Sequence, residues 1–143
     1  MDVMYKTTAV STRGRNGKVV VKDSHLEFSM TPPVEMGGKA EEQKTGVNPE
    51  QLFAAGYAAC FGSALQHVIR EKKLPIPTPS VEVTVGIGKN DSGGFELAVE
   101  IVALISGLDQ AAADEVVNEA HHVCPYSNAT RGNIDVKVSA KVS

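Results

Sequence analysis

The sequence predicts an α+β fold in the order βββ-α-ββ-α-β, with mostly antiparallel sheets around a buried central helix. Three observations lead there. Apolar and polar residues alternate through Val81–Gly88 and Ile134–Val142, the two-residue period of half-buried strands, and Lys18–Lys22 is a short Val-rich run that fits a strand as well. Two stretches, from Asn48 to about Lys72 or Lys73 and from Asp109 to Val123, carry helical start signals or helical periodicity instead. The strands come in runs broken by these helices, which favours α+β packing over alternating parallel units. A chain of 143 residues, 42% hydrophobic and 22% charged, suits one globular domain spanning 1–143.

The elements follow in order. Tyr5–Val10 is short and rich in Thr and Val, a first strand. Arg13-Gly14-Arg15-Asn16-Gly17 is a turn in which Asn16-Gly17 supplies positive φ. Lys18–Lys22 and Leu26–Met30 are the next strands. Thr31–Val47, with Pro32-Pro33, Gly37-Gly38 and a run of charge, is a loop long enough to be functional or covered by a partner. Asn48-Pro49-Glu50-Gln51 opens a helix: Asn48 caps, Pro49 fits the first position and Gln51 completes a capping box. Leu74-Pro75 stops it. Its middle (Ala54, Ala55, Gly56, Ala58, Ala59, Cys60, Gly62, Ser63, Ala64) is small on every face, which predicts burial on all sides. Val81–Gly88 and Phe95–Ile105 form a hairpin through Asn90–Gly94. In the second helix Ala113, Val116, Ala120 and Val123 share a face, and Pro125 ends or bends it. Ile134–Val142 is the last strand.

Composition excludes several function classes. The net charge is −3 and the pI about 5.8, unlike the clustered positive charge that nucleic acid or an anionic membrane surface requires. There is no Trp, and three Tyr and four Phe make a poor base-stacking platform. Met1–Val10 lacks the apolar run of a secretory signal. Leu52–Val68, the most apolar stretch, holds Gln66 and His67 and falls short of the ~20 apolar residues of a membrane span. The expectation is a cytoplasmic protein with no nucleic-acid or membrane partner.

Two cysteines, Cys60 and Cys124, are the residues with most chemistry to offer. They form no Cys-x-x-Cys, so neither a thioredoxin motif nor a zinc ribbon is present. His121 and Cys124 have ligand spacing, but the other donors, Cys60 and His67, are distant in sequence and neighbouring His121 and His122 diverge on a helix, so no metal is expected. Gly86-Ile87-Gly88 before Gly93-Gly94 is a turn rather than a dinucleotide fingerprint, and no cofactor is expected. No Gly-x-Ser-x-Gly elbow exists. Isolated cysteines are commonly small buried hydrophobes. Cys60, in mid-helix, would need a nearby positive charge to react. Cys124, at a helix end beside Pro125, is placed to move toward a partner sulfur.

The flanks of these cysteines are distinctive. Asn48-Pro49-Glu50-Gln51-Leu52-Phe53-Ala54-Ala55-Gly56-Tyr57-Ala58-Ala59-Cys60-Phe61 resembles the first signature of the organic hydroperoxide resistance proteins, in the superfamily of osmotically inducible protein C. His122-Val123-Cys124-Pro125-Tyr126-Ser127-Asn128-Ala129-Thr130-Arg131-Gly132-Asn133-Ile134 resembles the second. The resemblance implies a thiol peroxidase, built as an intertwined homodimer with two active sites at the interface. It implies that Cys60 is the peroxidatic cysteine, Cys124 the resolving one, Arg15 the catalytic arginine and Glu50 its carboxylate partner. It implies alkyl and fatty-acid hydroperoxides as substrates and a dihydrolipoamide-type dithiol as reductant. Three departures stand out: Arg13 replaces a usual glycine and competes with Arg15, Val47 precedes Asn48 where Thr is usual, and Lys39–Lys44 is unusually charged.

Elementary chemistry agrees with that assignment. A guanidinium favours a thiolate and keeps its own charge, and a carboxylate would hold it in place. Glu50 is also a first-turn acid favoured by the helix dipole. Glu50 and Cys60 stand ten positions apart on one helix, ~15 Å along its axis. That span predicts that Glu50, and with it Arg15, comes from the partner subunit. Phe53, Phe61, Met30 and Met36 are candidates for an apolar pocket. The competing readings are a non-catalytic small-molecule or zinc-binding module and a thiol redox sensor.

Overall fold

A computed structural model describes residues 1–143, which sort into two units, Met1–Leu52 and Phe53–Ser143. In the first, β1 (Ala9–Thr12), β2 (Lys18–Val21) and β3 (Glu27–Ser29) form an antiparallel sheet in that order. The first strand starts later than the sequence suggests, and Tyr5 lies outside it. The β1–β2 turn also differs from the expectation. Positive φ falls on Arg13 (64°) and Gly14 (55°), not on Asn16-Gly17. Gly17 is required for another reason: a Cβ there would stand 1.7 Å from the Thr12 carbonyl oxygen. Residues 31–47 are tied down rather than open. They hold two 3-10 turns, Val34–Met36 and Glu42–Lys44, and Gln43 Nε2 donates to the Pro32 carbonyl at 2.6 Å. Val47 bridges to Met30.

Helix α1 (Pro49–Glu71) starts with the expected capping box. Gln51 N–H donates to Asn48 Oδ1 at 2.8 Å, and Asn48 N–H donates to Gln51 Oε1 at 2.9 Å. At the other end Lys73 takes a left-handed φ of 53°. Its N–H donates to the Arg70 carbonyl and that of Leu74 to the Ile69 carbonyl, a Schellman closure before Pro75.

In the second unit β4 (Ser80–Lys89) and β5 (Phe95–Ile105) form the hairpin, with Lys89 opposite Phe95. Gly93 at φ 84° and the Asn90 side chain, which accepts from the Ser92 and Gly94 N–H groups, shape its turn. After β5 the chain runs through α2 (Gln110–Val123) and a short α3 (Pro125–Thr130). It returns as β6 (Asp135–Val142), parallel to β5, giving the order β4-β5-β6. The α+β class and strand order are as expected; α3 is additional. Pro125 does end α2, but it then serves as the first residue of a new helix, where its missing N–H costs nothing.

The core joins Tyr57, Phe61, Leu65 and Val68 of α1 to Val99, Ile101, Ala103 and Ile105 of β5 and to α2. On α2 the buried stripe is Ala113, Val116, Val117 and Ala120. Val123 was expected on it but is exposed, because the helix stops there and the chain turns at Cys124. Burial of α1 follows one face only: Ala55, Ala59, Ser63, Gln66 and Arg70 remain exposed in the single chain. The sheet and helices of one chain cover one side of that helix, so the expected all-round burial is absent within it. At 23 residues α1 is also long and apolar enough to cross a membrane by length and composition, contrary to the sequence reading. The core contacts of Tyr57, Phe61 and Leu65 are those of a core helix.

Candidate active site

Helix α1 fixes Cys60 one turn beyond Tyr57, whose ring is fully buried. Cys124 closes α2 and opens α3, with extended backbone angles of −61° and 122°. It has no exposed surface, while Cys60 is part-buried. Both are free thiols, and their sulfurs lie 3.5 Å apart, with the Cys124 thiol donating toward Cys60 Sγ. A disulfide needs about 2.05 Å, so only a short approach separates the reduced pair from a bond.

Burial pushes the Cys60 thiol above its usual pKa. The Tyr126 backbone N–H, directed at the sulfur, pulls the other way, and the neighbouring Cys124 adds to the rise. No cation contributes to that balance. Tyr126 also closes an aromatic cluster with Phe53 and Tyr57, its ring centroid 6.0 and 5.6 Å from theirs. Gly56 makes room for it: a Cβ there would sit 2.9 Å from the Tyr126 hydroxyl.

Arg15 and Glu50 form the second pair, within the first unit. Arg15 Nη1 and Nη2 donate to the two carboxylate oxygens at 2.8 and 2.7 Å, a bidentate fork. Glu50 is the better covered, with 13% of its side chain exposed against 34% for Arg15. The guanidinium holds the Glu50 carboxyl below its usual range, and the carboxylate raises Arg15 in turn. Glu50 takes both bonds from Arg15 and none from Arg13. It also occupies the first turn of α1. The four sequence candidates therefore sit as two pairs, one in each unit.

The pocket candidates divide. Phe61 is fully buried core, Met30 is buried in the first unit and Met36 is largely exposed. Phe53 lines an open depression of about 480 Å³ with Phe95, Leu97, Asn133 and Ile134. His121, considered above as a metal ligand, is hydrogen-bonded through Nδ1 to Ser127 Oγ at 2.8 Å. No three His, Cys, Asp or Glu side chains gather as a metal site. Sequence reasoning missed Tyr126 and the group of Tyr57, His121, Ser127 and Thr130. The available signal was Pro125, whose fit to a helix start would have marked Cys124 as the cap of α3.

Residues 38–139 match the family described as OsmC-like protein. The organic hydroperoxide resistance protein of Xanthomonas axonopodis pv. citri is 46% identical over 138 residues, 96% of this chain and 94% of that one. The chain belongs to the organic hydroperoxide resistance family. Solved structures of family members agree. The organic hydroperoxide resistance protein of Elizabethkingia anophelis superposes with a TM-score of 0.90 at 46% identity, covering 100% of this chain and 99% of that one. The corresponding Bacillus subtilis protein gives 0.87 at 44% identity, covering 97% and 100%. Organic hydroperoxide resistance is thus the broad function that family membership supports.

Proposed function

We propose that this chain is a thiol peroxidase that reduces organic hydroperoxides to alcohols through Cys60 and Cys124. The observation that carries the reading is the pair of free thiols, Cys60 part-buried and Cys124 buried, with sulfurs 3.5 Å apart. The Cys60 thiolate attacks the terminal peroxide oxygen; the O–O bond breaks and the alkoxide leaves as an alcohol after taking up a proton. Cys60 is then a sulfenic acid. Cys124 attacks its sulfur, an S–S bond forms and water departs, which keeps Cys60 from irreversible oxidation. A dihydrolipoamide-type dithiol reduces the Cys60–Cys124 disulfide by exchange and is itself oxidised to a disulfide.

Burial alone disfavours the Cys60 thiolate, so the reading needs a cation. Arg15, oriented by Glu50, is assigned that role, along with stabilising charge on the departing oxygen. The spacing of Glu50 and Cys60 on α1 favours supply of the Arg15–Glu50 pair by the partner subunit of a homodimer, in the cytoplasm. Mixing Cys60→Ser and Arg15→Ala chains should then recover activity in verified heterodimers.

The deciding experiment uses cumene hydroperoxide on the reduced protein. One equivalent should consume both thiols per chain and release one cumyl alcohol, with sustained turnover once dihydrolipoamide is added. Intact thiols would leave a non-catalytic module, and a single turnover without recycling would leave a redox sensor. Cys124→Ser should still release its first equivalent of alcohol, then stall with Cys60 over-oxidised; normal cycling in that variant removes Cys124 from the mechanism.

A further inference from the structure

Cys124 sits at a joint, and the joint is braced from three sides. Across it, His121 Nδ1 at the end of α2 meets Ser127 Oγ in α3 at 2.8 Å. From α1, the Tyr57 hydroxyl meets Ser127 Oγ at 2.9 Å and Thr130 Oγ1 at 3.0 Å. Thr130 Oγ1 donates to the Ser127 carbonyl at 3.3 Å. Arg131 adds an outer strap, donating to the His121 carbonyl and to Asn128 Oδ1. Tyr57 and Ser127 have no exposed surface and Thr130 has 6%.

Each hydroxyl has one proton, so the bonds can be ordered. Thr130 donates to the Ser127 carbonyl, which leaves Tyr57 to donate to Thr130 and Ser127 to donate to Tyr57. His121 must then donate from Nδ1 to Ser127 Oγ. No buried side-chain nitrogen or oxygen is left without a partner. A fully satisfied buried network holds one geometry, whereas a partly satisfied one loosens it. The geometry held here is that of three helices: Tyr57 lies one turn before Cys60 on α1, and His121 and Ser127 flank Cys124 on either side.

We infer that His121, Ser127, Tyr57 and Thr130 are positioning residues that hold the α2–α3 joint so that Cys124 waits within one short step of Cys60. The inference rests on the peroxidase reading. It adds that this chain of hydrogen bonds sets how the Cys60 sulfenic acid divides between disulfide closure and further oxidation. None of the four side chains bonds either sulfur, so they reach peroxide attack only indirectly, through the Tyr126 N–H of α3, whereas they act on closure through the placement of Cys124 itself.

His121→Ala cuts the link across the joint at a half-buried site, and His121→Asn restores a polar atom near the Nδ1 position. Tyr57→Phe cuts the link to α1. Stopped-flow traces of cumene hydroperoxide reduction separate alcohol release from disulfide closure, and mass spectrometry counts Cys60 sulfinic acid per turnover. His121→Ala and Tyr57→Phe should slow release of the first alcohol much less than they slow closure. Their disulfide closure should slow about fivefold, the usual net worth of one hydrogen bond, with sulfinic acid rising in step. His121→Asn should recover closure to about twofold of wild type. Wild-type closure in folded His121→Ala overturns the inference. So does an equal slowing of both steps, or failure of His121→Asn to rescue. If Tyr57→Phe does not fold, the two His121 variants decide alone. No alcohol from the wild-type protein would instead sink the peroxidase reading.

Discussion

Two glycines of α1 offer a matched comparison. Gly→Ala in a helix interior gains about 0.8–1 kcal/mol from backbone propensity alone. At Gly62 the new Cβ meets only Val81 Cγ2, at 3.9 Å, an ordinary contact facing β4, so Gly62→Ala should keep the whole gain. At Gly56 the new Cβ meets the Tyr126 hydroxyl at 2.9 Å and two ring carbons at 3.3 and 3.4 Å. Tyr126 must shift. Tyr126 is 39% exposed, so it has somewhere to go, and the cost should lie at the lower end of the ~1–3 kcal/mol typical of overpacking. The two terms nearly cancel, leaving Gly56→Ala close to wild type and about 1 kcal/mol below Gly62→Ala. For a chain of this size that gap is roughly 3 °C in melting temperature. Guanidinium unfolding of the reduced protein at one fixed concentration measures it. Removing the hydroxyl with Tyr126→Phe should return most of the missing gain to Gly56→Ala. If Gly56→Ala stabilises as much as Gly62→Ala, the Tyr126 side chain is not packed where the structure has it.

Other outcomes follow from the charges and caps. Glu50→Gln should lower stability by at most about 1 kcal/mol near neutral pH, because the Arg15 fork is part-exposed. The Glu50 pKa is depressed in the folded state, so its contribution is present above pH 4.5 and lost as the pH falls through the folded value. Wild-type and Glu50→Gln unfolding curves should therefore converge in acid. His121 is pulled below 6.5 by burial and by Arg131 and His122, so the unfolded chain binds more protons. Stability should fall as the pH drops below about 6.5, and His121→Asn should flatten that part of the profile. Asp109 caps α2 by accepting from the Ala112 N–H at 2.8 Å, and Asp109→Ala should cost ~1 kcal/mol in denaturant titration.

Local chemistry made some elements readable and hid others. The Asn48–Gln51 capping box and the Asn90 turn are contained within a few residues, so their meaning travels with the sequence. The same holds for β6, whose alternation survives in its half-buried pattern. The β1–β2 turn misled because Asn16-Gly17 has two possible uses. Its glycine answers a close approach to Thr12, and the left-handed residues lie earlier. Val123 fitted the α2 stripe by spacing, but spacing does not say where a helix stops. The pairing of Arg15 with Glu50 came from the resemblance; no periodicity relates a turn to a helix start many residues on. The His121 network was illegible, since a serine, a threonine and a tyrosine announce no partnership until three helices converge.

The parallel pairing of β6 with β5 has a consequence for synthesis. A crossover must be made before β6 can dock, and that crossover carries Cys124. Cys60 leaves the ribosome 64 residues ahead of it, a lag of roughly 3–13 s at ordinary translation speeds. During that interval the nascent chain has one thiol and no second cysteine. On the proposed mechanism a Cys60 sulfenic acid formed in that interval has no thiol to close on until Cys124 arrives, so production during an ongoing peroxide burst should yield a smaller share of competent protein than production beforehand.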